Sequence, residues 1–328
     1  MTGTMETREL TVRLLTPTFL GNANQEGQWR TPPFKAQLRQ WWRVRWAAAH
    51  DFVVDIAKMH REEGLLFGNA WLQDEFCKSK VRLRLIYKAN PEQSWARGTQ
   101  KGVDPMTKNL STSYAWYGID EDDQDKKGKK GKKRTALKTE SSEGERTLAL
   151  AFPAERTKEL EETLALMHHF GQVGTRSRGG WGSYQLEGFP ALDPGFAQRF
   201  TLPLDDCLKQ DWPCAIAEGD GGPMLWESQE TFAKWHEAMA QVAIARRDIR
   251  NTIKSEDKSS AKLLGSASPR FPSPLRWKVV EREWGQLAVR VFAMPYGGPV
   301  SYSDPGRVWR KIEQQLDALK TLRLKRLA

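Results

Sequence analysis

The chain has 328 residues, 39% hydrophobic and 28% charged, with a formal charge of +10; this is enough for two ordinary domains with their own cores and excludes a fibrous or wholly disordered protein. Removing the most charged stretch, Asp120–Arg134, deletes seven basic and five acidic residues and still leaves +8, so the basicity is distributed and favours a polyanionic partner, either nucleic acid or an anionic membrane surface. No apolar run approaches the ~20 residues that span a bilayer and no signal-peptide core is visible, while Cys77, Cys207 and Cys214 lack zinc-site spacing and leave an odd thiol, so a cytoplasmic, reducing location without a membrane partner is expected.

Leu10, Val12 and Leu14 alternate over residues 9–15, the period of a strand with one buried face. The polar loop from Thr16 to Asn24 runs on to Thr31-Pro32-Pro33, and proline suits the first turn of a helix. From Phe34 to about His50, Phe34, Leu38, Trp41, Trp42 and Ala49 form one broad stripe at helical spacing, with Arg45 intruding. Lys35, Arg39 and Arg43 recur every four residues beside it. No acidic residue interrupts that second stripe, so its cations add and suit phosphate contacts; a solvated helix face is the plainer reading.

A second helix is expected over Phe52–Glu63, followed by Gly64–Asn69 and a strand over Val81–Tyr87, where apolar and basic residues alternate. Residues 88–146 read as one insertion with a Lys-rich, low-complexity centre that can bury almost nothing. Leu148–Phe152 is a third strand, 155–170 a helix with Leu160, Leu164, Met167 and Phe170 on one side, and 182–189 a fourth strand. The order strand, helix, strand, strand, helix, strand is the ferredoxin-like (RRM-like) arrangement that many RNA-binding modules share.

Beyond Pro190–Gly195, a short strand is expected over Phe200–Leu204, a long helix over Ser228–Lys254 bearing Arg246-Arg247-Asp248-Ile249-Arg250, strands over Leu275–Val280 and Gln286–Ala293, and a last helix over Asp304–Leu322. The expected fold class is therefore α+β, with two ferredoxin-like modules in tandem over residues 1–198 and 199–328. The second is incomplete, without a final strand or a second glycine loop.

The most distinctive stretch joins the helix 155–170 to the fourth strand. His168-His169-Phe170-Gly171-Gln172-Val173-Gly174-Thr175-Arg176-Ser177-Arg178-Gly179-Gly180-Trp181-Gly182-Ser183-Tyr184 packs five glycines, two arginines and a tryptophan into one loop. Glycine lets another backbone come close, arginine contacts anionic oxygens, and an indole stacks on a flat ring; a glycine-rich turn with solvated arginines is the plainer alternative. Gly174-x4-Gly179 has the glycine spacing of a P-loop, but Gly180 and Trp181 replace its Lys and Ser/Thr, which argues against nucleotide hydrolysis. His168 and His169 are the best-placed candidates for a general base of metal-free ribonuclease chemistry, although adjacent histidines at a helix end point in different directions and are favoured there electrostatically. Glu62-Glu63 and Asp205-Asp206 form no recognisable metal site, and neither metal nor cofactor is expected.

Four stretches carry a resemblance. Leu15–Gly21 with Arg30-Thr31-Pro32-Pro33-Phe34-Lys35-Ala36-Gln37-Leu38-Arg39-Gln40-Trp41-Trp42-Arg43, Leu66-Phe67-Gly68 with Ser79–Leu83, Gly174–Ser183, and Leu264-Gly265-Ser266 with Ser273-Pro274-Leu275 resemble the RAMP superfamily of CRISPR effector proteins. Within it the match is most similar to the first-numbered subunit of the Cmr, or type III-B, complex. The resemblance implies a non-catalytic component of a multi-subunit, RNA-guided complex that contacts guide (crRNA) or target RNA. The residues it and the charge pattern single out for RNA binding are Trp29, Arg30, Lys35, Arg39, Trp42, Arg43, Arg176, Ser177, Arg178, Gly179, Gly180 and Trp181. Trp29 and Trp181 are expected to stack on bases and the arginines to hold phosphates. One departure is Gly179, where the resemblance implies another basic residue, so a weaker phosphate contact is expected there. A guide-processing endoribonuclease using His168 and His169, and an architectural subunit whose basic surfaces meet other proteins, are the competing readings.

Overall fold

In the computed structural model, the described residues are 4–24, 26–71, 76–86, 94–95, 113–115, 119, 135–139, 145–256, 258–266, 271–298 and 304–327. The Lys-rich centre of the expected insertion lies outside them. Strand β1 (Met5–Leu14) leads into α1 (Thr31–Ala48), which starts on Pro32 and Pro33 after an extended Arg30 and buries Phe34, Leu38, Trp41 and Trp42 as the stripe predicts. The second helix, α2 (Ile56–Phe67), begins four residues later than predicted. Asp51 and Phe52 take left-handed conformations, and Asp55 then caps the helix by accepting from Lys58 N at 2.9 Å.

There follow β2 (Arg82–Ile86), a two-residue pair formed by β3 (Ser94–Trp95) and β4 (Ala136–Leu137), β5 (Glu145–Pro153), α3 (Thr157–Phe170) and β6 (Tyr184–Leu186). The first sheet has the order β2-β5-β1-β6 with every neighbour antiparallel, and its register sets Leu10 against Leu148 and Leu14 against Tyr184. Helices α1 and α3 lie against one another, and Trp41, Trp42, Leu164 and Met167 share a core with Val12, Leu148 and Leu150 of the sheet.

The second half opens with α4 (Pro194–Gln198), β7 (Thr201–Pro203), α5 (Leu204–Cys207), β8 (Ile216–Gly219) and β9 (Gly222–Pro223). Then come β10 (Leu225–Ser228), α6 (Trp235–Glu256), β11 (Leu275–Glu281), β12 (Leu287–Ala293), α7 (Pro305–Asp317) and β13 (Leu324–Arg326). Its main sheet, order β11-β12-β10-β13, is antiparallel throughout.

Three predictions for this half are corrected. The strand at 201–203 does not open the main sheet but pairs in parallel with β8 in a small separate sheet. The first strand of the main sheet is β10, which overlaps the predicted start of the long helix; all four of its residues are buried, so it shows no alternation to read. The final strand predicted to be missing is present as β13, with Leu324 opposite Ser228 and Arg326 opposite Trp226, and its Leu-Lys-Arg sequence carries no strand signature.

The two sheets meet along the loop after α3. Gln172 Nε2 donates to Trp277 O at 2.6 Å, Val279 N donates to Ser183 Oγ at 2.9 Å, and Trp277 N donates to Arg178 O at 3.1 Å. Lys278 Nζ donates to His168 O and Arg290 Nη1 to His169 O, so two buried cations from the second sheet cap the negative end of α3. Among the described residues, no helix is long and apolar enough to cross a membrane.

Candidate nucleic-acid interface

The glycine-rich loop is a lasso closed at its base. Val173 N donates to Gly182 O at 3.0 Å, Gln172 bridges Ser183, and Thr16 Oγ1 donates to Gly180 O at 2.8 Å. Gly182 sits at φ +64, and a Cβ there would come within 1.7 Å of Val173 O, so the closure requires glycine. One flank, Gly179 to Ser183, is buried against the second half, while Gly174, Thr175 and Arg176 are exposed at the tip.

That tip forms one wall of a cleft of about 960 Å³ whose other walls come from the start of α1, from α6 and from the segments around Gly265 and Ser273. Five arginines line it: Arg30, Arg176, Arg178, Arg246 and Arg250. No aspartate or glutamate lies among its described lining residues. Arg30 donates to Gly21 O at 2.6 Å, Arg178 to Ser273 O at 2.9 Å, and Arg250 donates through both terminal nitrogens to Gly265 O at 3.0 Å. These bonds aim the guanidiniums without neutralising them. Arg246 rests over the ring of Tyr114, 5.2 Å from its centroid.

Burial lowers the pKa of Arg246, with Arg176 and Arg250 pushing it the same way; burial also lowers that of Arg178. Guanidinium nevertheless stays charged at neutral pH. Like charges gathered in a partly dry cleft are stabilised by an arriving anion, and charge-assisted bonds to phosphate are the strong ones.

The structure redistributes the residues singled out by sequence. Arg30, Arg176, Ser177, Arg178 and Gly179 line the cleft, whereas Gly180 is buried against Met239 outside the lining. Lys35, in the second turn of α1, is half-buried and outside the cleft lining. Arg39 and Arg43 do not form an unopposed stripe: Glu63 of α2, 1% exposed, accepts from Arg39 Nε at 2.6 Å and from Arg43 Nε and Nη2 at 2.8 Å. The acid that cancels them stands on another helix, where the pattern of their own helix gives no sign of it.

The three tryptophans belong to the core. Trp29 is 1% exposed and stacked on Phe34; Trp42 is 1% exposed and donates to Glu159; Trp181 is fully buried, donating to Ala115 O at 3.0 Å and meeting Phe19 edge-on. No ring face is left for a base to stack on, which corrects the expectation for Trp29 and Trp181, and Trp42 is equally inaccessible to RNA. Aromatic burial outweighs the advantage of display.

Arg246 and Arg250 are functional candidates that the sequence pattern alone leaves unassigned. Their i, i+4 spacing on a helix is the available signal, since it puts both on one face. Gly179 and Arg246 are also fitted to one another: a Cβ at position 179 would meet Arg246 Nη1 at 2.4 Å. The guanidinium therefore occupies the space where a side chain at 179 would stand, and charge absent from the loop is delivered from α6.

His168 and His169 form the last turn of α3 on the far side of the lasso. Burial, with the charges of Lys278 and Arg290, pushes His168 down to about 3; burial, then Arg290, pushes His169 down to about 2. Both are neutral at physiological pH, and His168 Nδ1 accepts from Leu186 N at 3.2 Å.

Comparison with known proteins gives the geometry its context. No curated protein matches the sequence. Among solved structures, Cmr1 from Pyrococcus furiosus in its apo form is 18% identical, with 98% of both chains covered and a TM-score of 0.58. A chain in the cryo-EM structure of type III-B Cmr-beta bound to cognate target RNA is 10% identical at TM-score 0.53, covering 95% of this chain and 99% of that one. A chain in a further Cmr-beta structure, with target RNA and AMPPnP in the presence of single-stranded DNA, is 12% identical at 0.54, covering 96% and 99%. The family model described as RAMPs matches residues 11–185, more than half of the sequence and most of the first sheet with its glycine-rich lasso, and the chain belongs to the RAMP superfamily.

Proposed function

We propose that the chain is a non-catalytic, RNA-binding subunit of a type III-B CRISPR effector complex, holding the backbone of guide or target RNA in the arginine cleft. The observation that carries this reading is the cleft itself: five guanidiniums converge on 960 Å³ without a lining carboxylate among the described residues. The backbone amides of the loop tip and the Ser177 hydroxyl supplement them, while sequence is left to base pairing between guide and target, a division of labour known in another RNA-guided effector. Two ferredoxin-like modules, residues 1–198 and 199–328, are the architectural part of the proposal. Both main sheets repeat the chain order strand, helix, strand, strand, helix, strand and the sheet order second-third-first-fourth.

The depressed histidines support the non-catalytic reading over guide processing, because a general base works best with a pKa near the operating pH. The test is the affinity of the purified chain for single-stranded RNA as salt is raised. Replacing Arg176, Arg246 and Arg250 together with Gln should weaken binding and reduce the slope of log K against log salt by about 2, since each phosphate that a cation neutralises adds roughly 0.7 to that slope. An unchanged slope contradicts the proposal. Cleavage of RNA by the wild-type chain without added metal, abolished in His168→Gln/His169→Gln, would instead favour the endoribonuclease.

A further inference from the structure

Phosphate contacts account for the arginines of the cleft but leave the bases of a bound RNA without a seat, since Trp29, Trp42 and Trp181 are all buried. Three other aromatic residues stand among the described lining residues of the cleft: Phe19, Tyr114 and Phe271. Phe19 and Phe271 are each 4% exposed, the first set edge-on against Trp181 and the second beside Tyr296. Of the three, Tyr114 is the one whose side chain is partly open to solvent.

Tyr114 belongs to the stretch 88–146, which the sequence marks as an insertion with little to bury. Its single turn of 3-10 helix, Ser113–Ala115, is nevertheless tied to the fold. Ala115, 4% exposed, joins a core with Trp181, Met239 and Val242, and its carbonyl accepts from Trp181 Nε1 at 3.0 Å. The turn packs against α6. Trp181 is too deeply buried to stack on a base itself; instead it holds the segment that brings a second aromatic to the cleft.

Arg246 rests over the Tyr114 ring, 5.2 Å from its centroid, and the same guanidinium reaches the space beside the Gly179 Cα. The guanidinium thus touches both the ring and the loop backbone. That contact places a phenol ring next to the cation best placed to meet a phosphate, and the ring makes no aromatic contact of its own among the described residues. A nucleotide is a flat base joined to a phosphate through a ribose, so a ring and a guanidinium side by side match both of its parts. Stacking on an aromatic face is available to every base, and a neighbouring arginine adds to it. A ring already held in place loses little freedom on binding.

We infer that Tyr114 is the base-stacking residue of the cleft. One base of a single-stranded RNA lies on the ring face turned away from Arg246, while Arg246 and Arg176 hold an adjacent phosphate. The contact is made through a π-face and reads no hydrogen-bonding edge, so the seat accepts any of the four bases. The insertion then contributes directly to RNA binding through this ordered turn.

The inference rests on the proposed RNA-binding role of the cleft. Its test is the affinity of the full chain for two oligomers of equal length: a single-stranded RNA, and a sugar-phosphate chain with stable tetrahydrofuran units in place of the nucleosides. Both are measured at low salt, where backbone contacts are strongest. Tyr114→Ala should bind the RNA about tenfold less tightly, the scale of one lost stacking contact, and should bind the abasic oligomer as the wild type does. Tyr114→Phe keeps the ring and should match the wild type on both. The salt slope of Tyr114→Ala should be unchanged, because no phosphate contact is removed. Replacing the three arginines should instead weaken both oligomers and lower the slope, so the slope bears on the phosphates and the comparison of oligomers on the base. Wild-type affinity of Tyr114→Ala for RNA, an equal loss on the abasic oligomer, a reduced slope in Tyr114→Ala, or Tyr114→Phe binding as weakly as Tyr114→Ala would overturn the inference.

Discussion

Gly179 and Arg246 together show how charge is placed in the cleft. Because the guanidinium fills the space next to the Gly179 Cα, Gly179→Ala displaces the tip of a flexible side chain and leaves the backbone alone. Its cost in stability should stay below about 1 kcal/mol, whereas RNA affinity should fall by up to about tenfold if Arg246 can no longer reach its phosphate. Filter binding and thermal melting of the same preparation separate the two. Glu63 behaves in the opposite way. Glu63→Gln removes the carboxylate shared by Arg39 and Arg43 and should destabilise the chain by roughly 2 kcal/mol in urea, while the affinity for RNA stays the same or rises slightly.

Protonation provides another residue-scale test. His168 and His169 have folded pKa values of about 3 and 2, below their unfolded value near 6.5. The unfolded chain therefore binds more protons at mildly acid pH. Their contribution to stability is fully present above about pH 6.5 and is lost as the pH falls towards 3, at up to ~1.4 kcal/mol per pH unit for each histidine. Urea denaturation between pH 7 and pH 4 should show this slope, and His168→Gln/His169→Gln should flatten it.

At the scale of elements, the lasso is as much a joint as a binding loop. It accepts from β11 at Arg178 O and Ser183 Oγ and donates to it through Gln172 Nε2, so the loop whose tip lines the cleft also brings α6 and its arginines alongside. Strand β13 closes the second sheet with little apolar surface of its own. Arg326 anchors it instead, pairing with Glu313 at 2.7 Å and Asp317 at 2.6 Å and lying over Trp226 at 4.9 Å. Arg326→Ala leaves Glu313 buried with only backbone partners at Asp220 and Gly221, and should cost roughly 3 kcal/mol by denaturant titration.

These elements also mark what a sequence makes legible. Helix α1, the strands with one solvent-facing side and the boundaries of the glycine loop are readable because their periodicity is local. Strand β10, buried on both faces, and β13, three residues long, carry no period, so the pattern passes over both, the predicted helix reaching only Ser228 of the first. In the site, Arg176 and Arg178 stand out by their neighbours in the chain. Glu63 against Arg39 and Arg246 against Gly179 are pairings between distant segments, and Trp181 is hidden by a core built from several elements, so only the folded arrangement reveals them.

For the whole molecule, a net charge of +10 understates the organisation. Cations converge on the cleft between the halves, pair off along α1 and lie buried as helix caps at the joint. The halves therefore act together, since neither the lasso nor α6 alone assembles the five-arginine cleft. The most direct measurement is photo-crosslinking of 4-thiouridine-substituted single-stranded RNA to the full chain, with adducts mapped by peptide mass spectrometry. The account predicts adducts both in the lasso around residues 174–178 and on α6 or the following segment, within 246–266. Adducts confined to α1 around Arg39 and Arg43, or to the β11–β12 hairpin, would contradict it.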